Sequence, residues 1–493
     1  MKSKGFIWLV CFGIAFIFLA ICSKSSFLYP MNDWVDANCY ITVAKSMLHG
    51  KVLYADIYEQ KGPLLYMMHC IAYLISKNSF FGVFLLEVSC FTVFLRYAYN
   101  IVSLYMKENA IYALPILGTV ILAASSFAHG DSAEEMCLPL LTISFYLMLD
   151  CIKNKKEFTT KVLIINGILA GCVFWIKFSM VGFYLGYMLA ILLLEWKNKR
   201  MKQSVKKCLW FLLGMGIATL PHLIYFAANS AMKDLFEAYI YNNMFLYKYD
   251  TYSNLFHRVF SIIVNTSVSL VNNPVYGVLI LIGFVWLYCE HRGDWFGRVA
   301  PILLGITLPL GVFWSGVAWI YYGFIFNVFT VLGVIWLLDL LSKRLSWFHK
   351  QKIVLPLMIL GGAVLCAVFS KNTYLLKYEK EDLPQYKFAK IIQETDDPTL
   401  LNYDFLDGGF YTAAEILPSG KYFCLLNIPL EEMLESLDDT VEQGKVDYVV
   451  TRDMKYSWEH YRLVDEAKFY YEGRDYTYYL YKHTNLIQNI TNN

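Results

Sequence analysis

Long apolar runs recur along the chain, separated by short connections in which lysine and arginine gather. Runs at 5–22, 81–106, 109–128, 134–152, 161–176, 179–195, 208–228, 272–290, 298–314, 318–341 and 353–369 predict about eleven spanning helices, since roughly 17–25 apolar residues cross a bilayer. With "MKSK" inside, the cytoplasmic connections become "KE" (107–108), "KNKK" (153–156), "KNKRMKQSVKK" (197–207), "CEHRGDWFGR" (289–298) and "SKRLSWFHKQK" (342–352). The basic clusters then all fall on one side, as the positive-inside rule requires. This agreement needs "PLLYMMHCIAYLIS" (63–76) to dip into the outer leaflet without crossing, because a crossing would invert every later loop. No small-residue cleavage site follows the run at 5–22, so it is expected to stay as a first span.

The outer face is then expected to receive 23–80, 129–133, the turn at Lys177, 229–271, the turn at Ser315–Gly316 and everything after about Ser370. From Tyr374 the composition changes. "TLLNYDF", "KYFCLL" and "VDYVVTRD" read as strands, "GGFYTAAEIL" and "PLEEMLESLDDTVEQ" as helices, and "KFYYEGRDYTYYLYK" as a hairpin turning at Gly473. The expected organisation is a multi-pass α-helical membrane domain over 1–372 and a small extracytoplasmic α/β domain over 373–493.

Composition sharpens this picture. The 493 residues are 57% hydrophobic and 17% charged, which soluble domains rarely approach. A net charge of +2, from 42 basic and 40 acidic residues, supplies no basic field, so nucleic acid is not an expected partner. The 12 cysteines lack CxxC spacing and read as small apolar residues.

The candidate chemistry lies on the outer side. Asp36 precedes a helix-compatible stretch with Ala37, Tyr40, Val43, Ala44 and Met47 on one side, where it is either a helix cap or a stabilised ionised carboxylate. Lys61 stands before Pro63, which suits the first position of a helix; the lysine either snorkels or meets a lipid phosphate. Asp131, Glu134 and Glu135 cluster where a span begins, and Lys177 is a lone charge where two spans meet. Asn243, with its neighbour Asn242, lies in a later outer segment. Glu59 and the histidines His69, His129 and His222 lack metal-ligand spacing, so no cofactor is required, and a divalent metal stays open.

Taken together, "DANCY", "EQKGPLLY", "EEMCLPLL" and "GILAGCVFWIK" resemble the GT-C superfamily of integral membrane glycosyltransferases. The resemblance is to the branch of the lipid A aminoarabinose transferase and the protein O-mannosyltransferases, and it covers roughly residues 5 to 341. It implies a catalytic role for Asp36, a second acid at Glu135 with Glu134 beside it, and lysines near the donor phosphate at Lys61 and Lys177. It also implies a polyprenyl-phosphate sugar donor presented from the outer leaflet. In this chain Gly62 replaces the first proline of a Lys-Pro-Pro pattern, and Glu59 sits one residue further from the lysine than the acid of Glu-Lys-Pro relatives. Tyr40, Glu59, Asp131 and Asn243 complete the expected substrate-binding set. The expected reaction is inverting transfer of a sugar to an envelope glycan, lipid or protein in the plasma membrane. A flippase of lipid-linked sugars, or a polymerase or ligase of diphosphate-linked glycans, is the competing reading.

Overall fold

The computed structural model describes residues 3–247, 254–344, 351–471 and 473–491. The helices are α1 (Lys4–Cys22), α2 (Val35–Leu48), α3 (Pro63–Ile75), α4 (Phe81–Tyr105), α5 (Ala113–Leu122), α6 (Ala133–Lys153), α7 (Thr160–Lys177), α8 (Gly182–Lys197), α9 (Met201–Ala228), α10 (Met232–Leu235), α11 (Leu255–Val271), α12 (Pro274–Glu290), α13 (Trp295–Val312), α14 (Asn327–Arg344), α15 (Gln351–Phe369), α16 (Pro384–Ile392), α17 (Phe410–Ala413), α18 (Glu431–Glu442) and α19 (Thr484–Thr491). The strands are β1 (Leu400–Asn402), β2 (Tyr448–Arg452), β3 (Tyr461–Tyr471) and β4 (Arg474–His483).

The chain forms two compact units: Met1–Ser26, Phe84–Ile224 and Lys248–Tyr374 in the first, and Phe27–Val83, Tyr225–Tyr247 and Leu375–Asn493 in the second. This cuts the chain differently from a division at residue 372. The first outer loop and the segment after α9 belong with the C-terminal region.

The first unit is a multi-pass helical membrane assembly. Among the described residues, eight helices are long and apolar enough to cross a membrane, or up to nine if a bent pair is one span. The two expected spans at 161–176 and 179–195 lie within one apolar helical stretch, Thr160–Lys197, of 38 residues. A straight helix of that length would separate its ends by about 57 Å. Instead Arg200 reaches Glu157 at 3.5 Å and the Phe158 ring lies 6.2 Å from Tyr187. The backbone is extended at Lys177 (φ −155°, ψ 99°), so α7 and α8 double back there as two spans. The expected span at 109–128 shortens to Ala110–Leu122, because turns at Ala110–Tyr112 and Ser125–Phe127 interrupt it. The helix α11 was not foreseen: it meets α12 at 115° and leaves Leu255, Phe256, Phe260, Ile263 and Val271 exposed. The basic connection expected at 342–352 falls largely outside the described residues.

Helix starts follow local chemistry. Ser132 Oγ accepts the Glu135 N–H at 3.2 Å while Glu135 Oε1 accepts the Ser132 N–H at 3.1 Å, a reciprocal cap that fixes the entry to α6. The middle of the unit is built on α14, whose Phe329 ring meets Phe145, Phe183 and Phe284 at 5.5, 6.3 and 5.1 Å. Small residues let backbones touch: a Cβ on Gly182 would lie 2.4 Å from the Thr307 carbonyl oxygen on α13.

The second unit carries a four-stranded sheet of order β1-β2-β4-β3, with β1 parallel to β2 and the other pairs antiparallel. Tyr471 pairs with Arg474 across the expected hairpin, and Gly473 takes φ +91°. "KYFCLL" is not a strand. Its Lys421 carbonyl accepts the Tyr58 N–H at 3.0 Å and its Leu425 N–H donates to the Phe405 carbonyl at 3.2 Å, so single contacts to other loops replace a ladder. The "GGFYTAAEIL" helix is one turn, α17. The expected helix at 63–76 forms as α3, whose 13 residues are too few for a span.

The helix α2 is held by the C-terminal region. Asp407 accepts hydrogen bonds from Thr42 Oγ1 (2.6 Å), Asn402 Nδ2 (3.0 Å) and the Gly409 N–H (2.8 Å). Lys45 Nζ donates to the Ile416 carbonyl at 3.1 Å, and Lys51 Nζ donates to that of Pro418.

Candidate active site

In the second unit, α2 begins after Trp34, whose side chain offers no cap, and Asp36 lies in the first turn. There the helix dipole favours its negative charge, so Asp36 is not the capping residue. Tyr40, one turn on, donates its hydroxyl to Asp36 Oδ2 at 3.3 Å. Lys61 Nζ stands 3.7 Å from the same oxygen and 5.8 Å from the centre of the Tyr40 ring. Both charged side chains are largely buried.

The loop that carries Lys61 is fixed through its backbone. The Lys61 N–H donates to Glu59 Oε2 at 2.9 Å and to Tyr66 Oη at 3.1 Å, while Tyr54 donates to the Lys61 carbonyl. Asn243 Nδ2 donates to the Gln60 carbonyl at 2.7 Å, and Asn242 Nδ2 to Tyr58 Oη at 2.9 Å. Burial pushes the Glu59 carboxyl above the usual range, and the Lys61 ammonium pulls it back only in part. Pro63 opens α3 right after this loop, so Lys61 sits at the end of a rigid element.

The first unit holds two further clusters around the start of α6. Lys177 Nζ donates to Glu134 Oε1 at 2.6 Å and lies 3.7 Å from the centre of the Tyr322 ring. Glu134 is fully buried, and among the described residues its second oxygen accepts no hydrogen bond. The neighbouring Glu135 is committed elsewhere, to the Ser132 cap, and lies beside Glu87. Glu87 also accepts the Ser23 hydroxyl (2.7 Å) and the Asp131 N–H (2.9 Å). Asp131 is buried at φ +65°, after Gly130 at φ +86°, where a Cβ would lie 2.6 Å from Glu87 Oε1.

Asp36, Tyr40, Lys61 and Glu59 therefore converge, and Asn243 acts on the loop that bears the lysine. Lys177 joins Glu134, whereas Glu135 and Asp131 join Glu87. Sequence reasoning passed over Glu87, Tyr66, Tyr54 and Lys24. Glu87 carried a usable signal, as a lone acid inside the apolar run 81–106. Lys24 is buried and donates to Tyr374 Oη at 3.3 Å, a contact no local pattern announces. Among the described residues, no group of three or more His, Cys, Asp or Glu side chains is arranged to hold a metal ion.

A family model described as "Putative competence-induced protein Ccs4 N-terminal domain" matches residues 1–291. No curated protein matches the chain. Among solved structures, ArnT from Cupriavidus metallidurans in the apo state is similar at 12% identity with a TM-score of 0.55, covering 97% of this chain and 98% of that one. The same protein bound to undecaprenyl phosphate is similar at 13% identity and a TM-score of 0.60, with the same coverage. At such identity the likeness is one of fold, and it covers nearly the whole chain, the C-terminal region included.

Proposed function

The chain belongs to the Ccs4 N-terminal domain family, and from its fold and its site we propose that it is a membrane glycosyltransferase moving a sugar from a polyprenyl-phosphate donor to an envelope glycan, lipid or protein. The observation that carries this reading is the buried Asp36–Lys61 pair beside Tyr40, in a fold shared with an enzyme crystallised with undecaprenyl phosphate. A carboxylate paired with an ammonium supplies the two charges that displacement at a sugar phosphate needs.

Asp36 takes the proton of the acceptor hydroxyl, whose oxygen attacks the anomeric carbon. The bond from that carbon to the phosphate oxygen breaks, its electron pair stays on the phosphate, and Lys61 offsets the growing charge. A single displacement inverts the anomeric centre. At 3.7 Å the Asp36–Lys61 pair is loose enough for an incoming phosphate to take over the ammonium, so that Asp36, which keeps the hydrogen bond from Tyr40, can act as the base. Glu59, Tyr66, Tyr54 and Asn243 are positioning residues for the Lys61 loop. In the first unit, Lys177 is proposed to meet lipid phosphate, and Glu134, whose Oε2 accepts no hydrogen bond among the described residues, to serve as an acid in place of Glu135. The proposed orientation has the N-terminus in the cytoplasm and the sheet-bearing region outside.

Purified protein in lipid nanodiscs, given a panel of polyprenyl-phosphate hexoses and pentoses with envelope extract, tests this. Release of polyprenyl phosphate together with a glycosylated product supports it. Movement of the intact lipid-linked sugar across the bilayer without cleavage would replace it with a transporter.

A further inference from the structure

On the second unit, the loop 453–460 between β2 and β3 folds back against the sheet and is tied there at several points. The Asp453 N–H donates to the Thr477 carbonyl at 2.7 Å, Thr451 Oγ1 donates to the Met454 carbonyl at 2.8 Å, and the Tyr456 N–H donates to Tyr481 Oη at 2.8 Å. Lys455 is ion-paired to Glu466 on β3 at 2.8 Å. The loop presents two aromatic rings held in a fixed relation: Tyr456 and Trp458 are parallel within 3°, with centroids 4.9 Å apart.

The Tyr403 ring is perpendicular to both and nearly equidistant, at 5.2 Å from Tyr456 and 5.3 Å from Trp458. A ring lying on the far face of either partner would be much further from the other, so Tyr403 abuts the edges of the pair. Trp458 meets Tyr481 and Tyr461 at 5.1 and 6.0 Å, whereas Tyr456 meets no ring beyond Trp458 and Tyr403 among the described residues. No second ring covers the other face of Tyr456 among the described residues, its hydroxyl also reaches Met454 Sδ at 3.9 Å, and the residue is half-exposed.

Two carboxylates flank this face. Tyr456 donates its hydroxyl to Asp404 Oδ2 at 2.8 Å, and Tyr403 donates to Asp438 Oδ1 at 2.7 Å. Each bond locks a ring and leaves the second oxygen of the carboxylate available as an acceptor. A locked ring with carboxylates at its rim matches the two sides of a sugar, whose C–H face packs on an aromatic and whose hydroxyls donate to acceptors. Rigid aromatics also lose little conformational entropy on binding. The acidic residues Glu435 and Asp439 on α18 beside Asp438 disfavour a polyanionic ligand.

We propose that Tyr456, backed by Trp458 and rimmed by Asp404 and Asp438, is a binding shelf for a neutral glycan, and that its ligand is the saccharide acceptor of the transferase. The second half of this inference rests on the function proposed above; the binding itself does not.

The test uses the full chain in nanodiscs, with saturation-transfer NMR and titration against chitotetraose, cellotetraose and maltotetraose, and an oligogalacturonate as the anionic control. At least one neutral tetraose should bind. Tyr456→Ala should weaken it about tenfold, Tyr456→Phe should retain most of the affinity, and the pair Asp404→Asn with Asp438→Asn should weaken it with the rings intact. Absence of binding by all three neutral sugars, equal affinity in Tyr456→Ala, or tighter binding of the galacturonate overturns the shelf. Donor cleavage is measured on the same wild-type preparation. Cleavage without tetraose binding removes the shelf alone, and tetraose binding without cleavage removes the transferase alone.

Discussion

Replacing Asp36 by asparagine keeps the size and the hydrogen bond from Tyr40 but removes the charge and the proton-accepting capacity. The Asp36–Lys61 separation of 3.7 Å corresponds to a gross attraction of about 4–5 kcal/mol at an effective dielectric constant of ~20. Desolvation of both groups cancels much of it, and Lys61 can turn toward solvent. The expected loss of stability is therefore about 2–3 kcal/mol, between an exposed pair and a fully buried one. The expected loss of turnover is larger, about 10²–10⁴-fold for a missing general base, or about 3–5 kcal/mol of barrier. Release of polyprenyl phosphate is measured on protein shown by thermal unfolding in detergent to be folded, alongside Lys61→Met and the double variant. If the broken ion pair were the whole cause, the double variant would recover both stability and turnover; a lost base, with the phosphate-facing Lys61 also removed, predicts recovery of stability only. Turnover within about threefold of wild type in folded Asp36→Asn refutes the reasoning, as does full recovery of turnover in the double variant.

Asp407 is pushed up to about 6, chiefly by burial, against the pull of its three donors and Lys45. Between about pH 4 and 6 the folded chain keeps this proton and the unfolded chain has lost it, so stability falls as pH rises through that window, by on the order of 2–3 kcal/mol, and stays level above it; thermal unfolding against pH should show the slope, and Asp407→Asn should flatten it. Glu134→Gln removes the buried charge opposite Lys177 and should cost about 3–5 kcal/mol, most of it returned in Glu134→Gln with Lys177→Met, as a double-mutant cycle of unfolding midpoints would read. Gly182→Leu drives a side chain into the Thr307 carbonyl of α13 and should lower the unfolding temperature, by about 1–3 kcal/mol or more in stability; an unchanged midpoint would mean that α8 and α13 are not in backbone contact.

What local spacing controls was readable in advance. The four-residue step from Asp36 to Tyr40 sets both on one helix face, and the hydroxyl does reach the carboxylate. Pro63 had to open a helix, since its ring fixes φ and its nitrogen has no hydrogen to lose, and Lys61 is held just before it. Apolar runs between basic connections dictated a polytopic helical chain, because unpaired backbone groups in a bilayer must be satisfied within helices. The reversal at Lys177 was legible for the same reason, from the length of the runs on either side.

The rest depends on partners far apart in sequence. Asn243 supports the loop at Gln60 from 183 residues away, Asp407 holds Thr42 from 365, and Glu134 selects Lys177 while Glu135 turns to Glu87. No periodicity distinguishes the two adjacent glutamates. Successive residues on a helix point about 100° apart, so which one meets the lysine is settled by the packing of α6 against its neighbours. "KYFCLL" has strand composition and still forms no strand, because its backbone groups found single partners at Tyr58 and Phe405. The sequence by itself determined the long apolar helices, the membrane and the i to i+4 pairing at Asp36, which follow from covalent geometry and transfer free energy. The tertiary structure alone decided which distant charges and amides meet, because that depends on how whole elements pack.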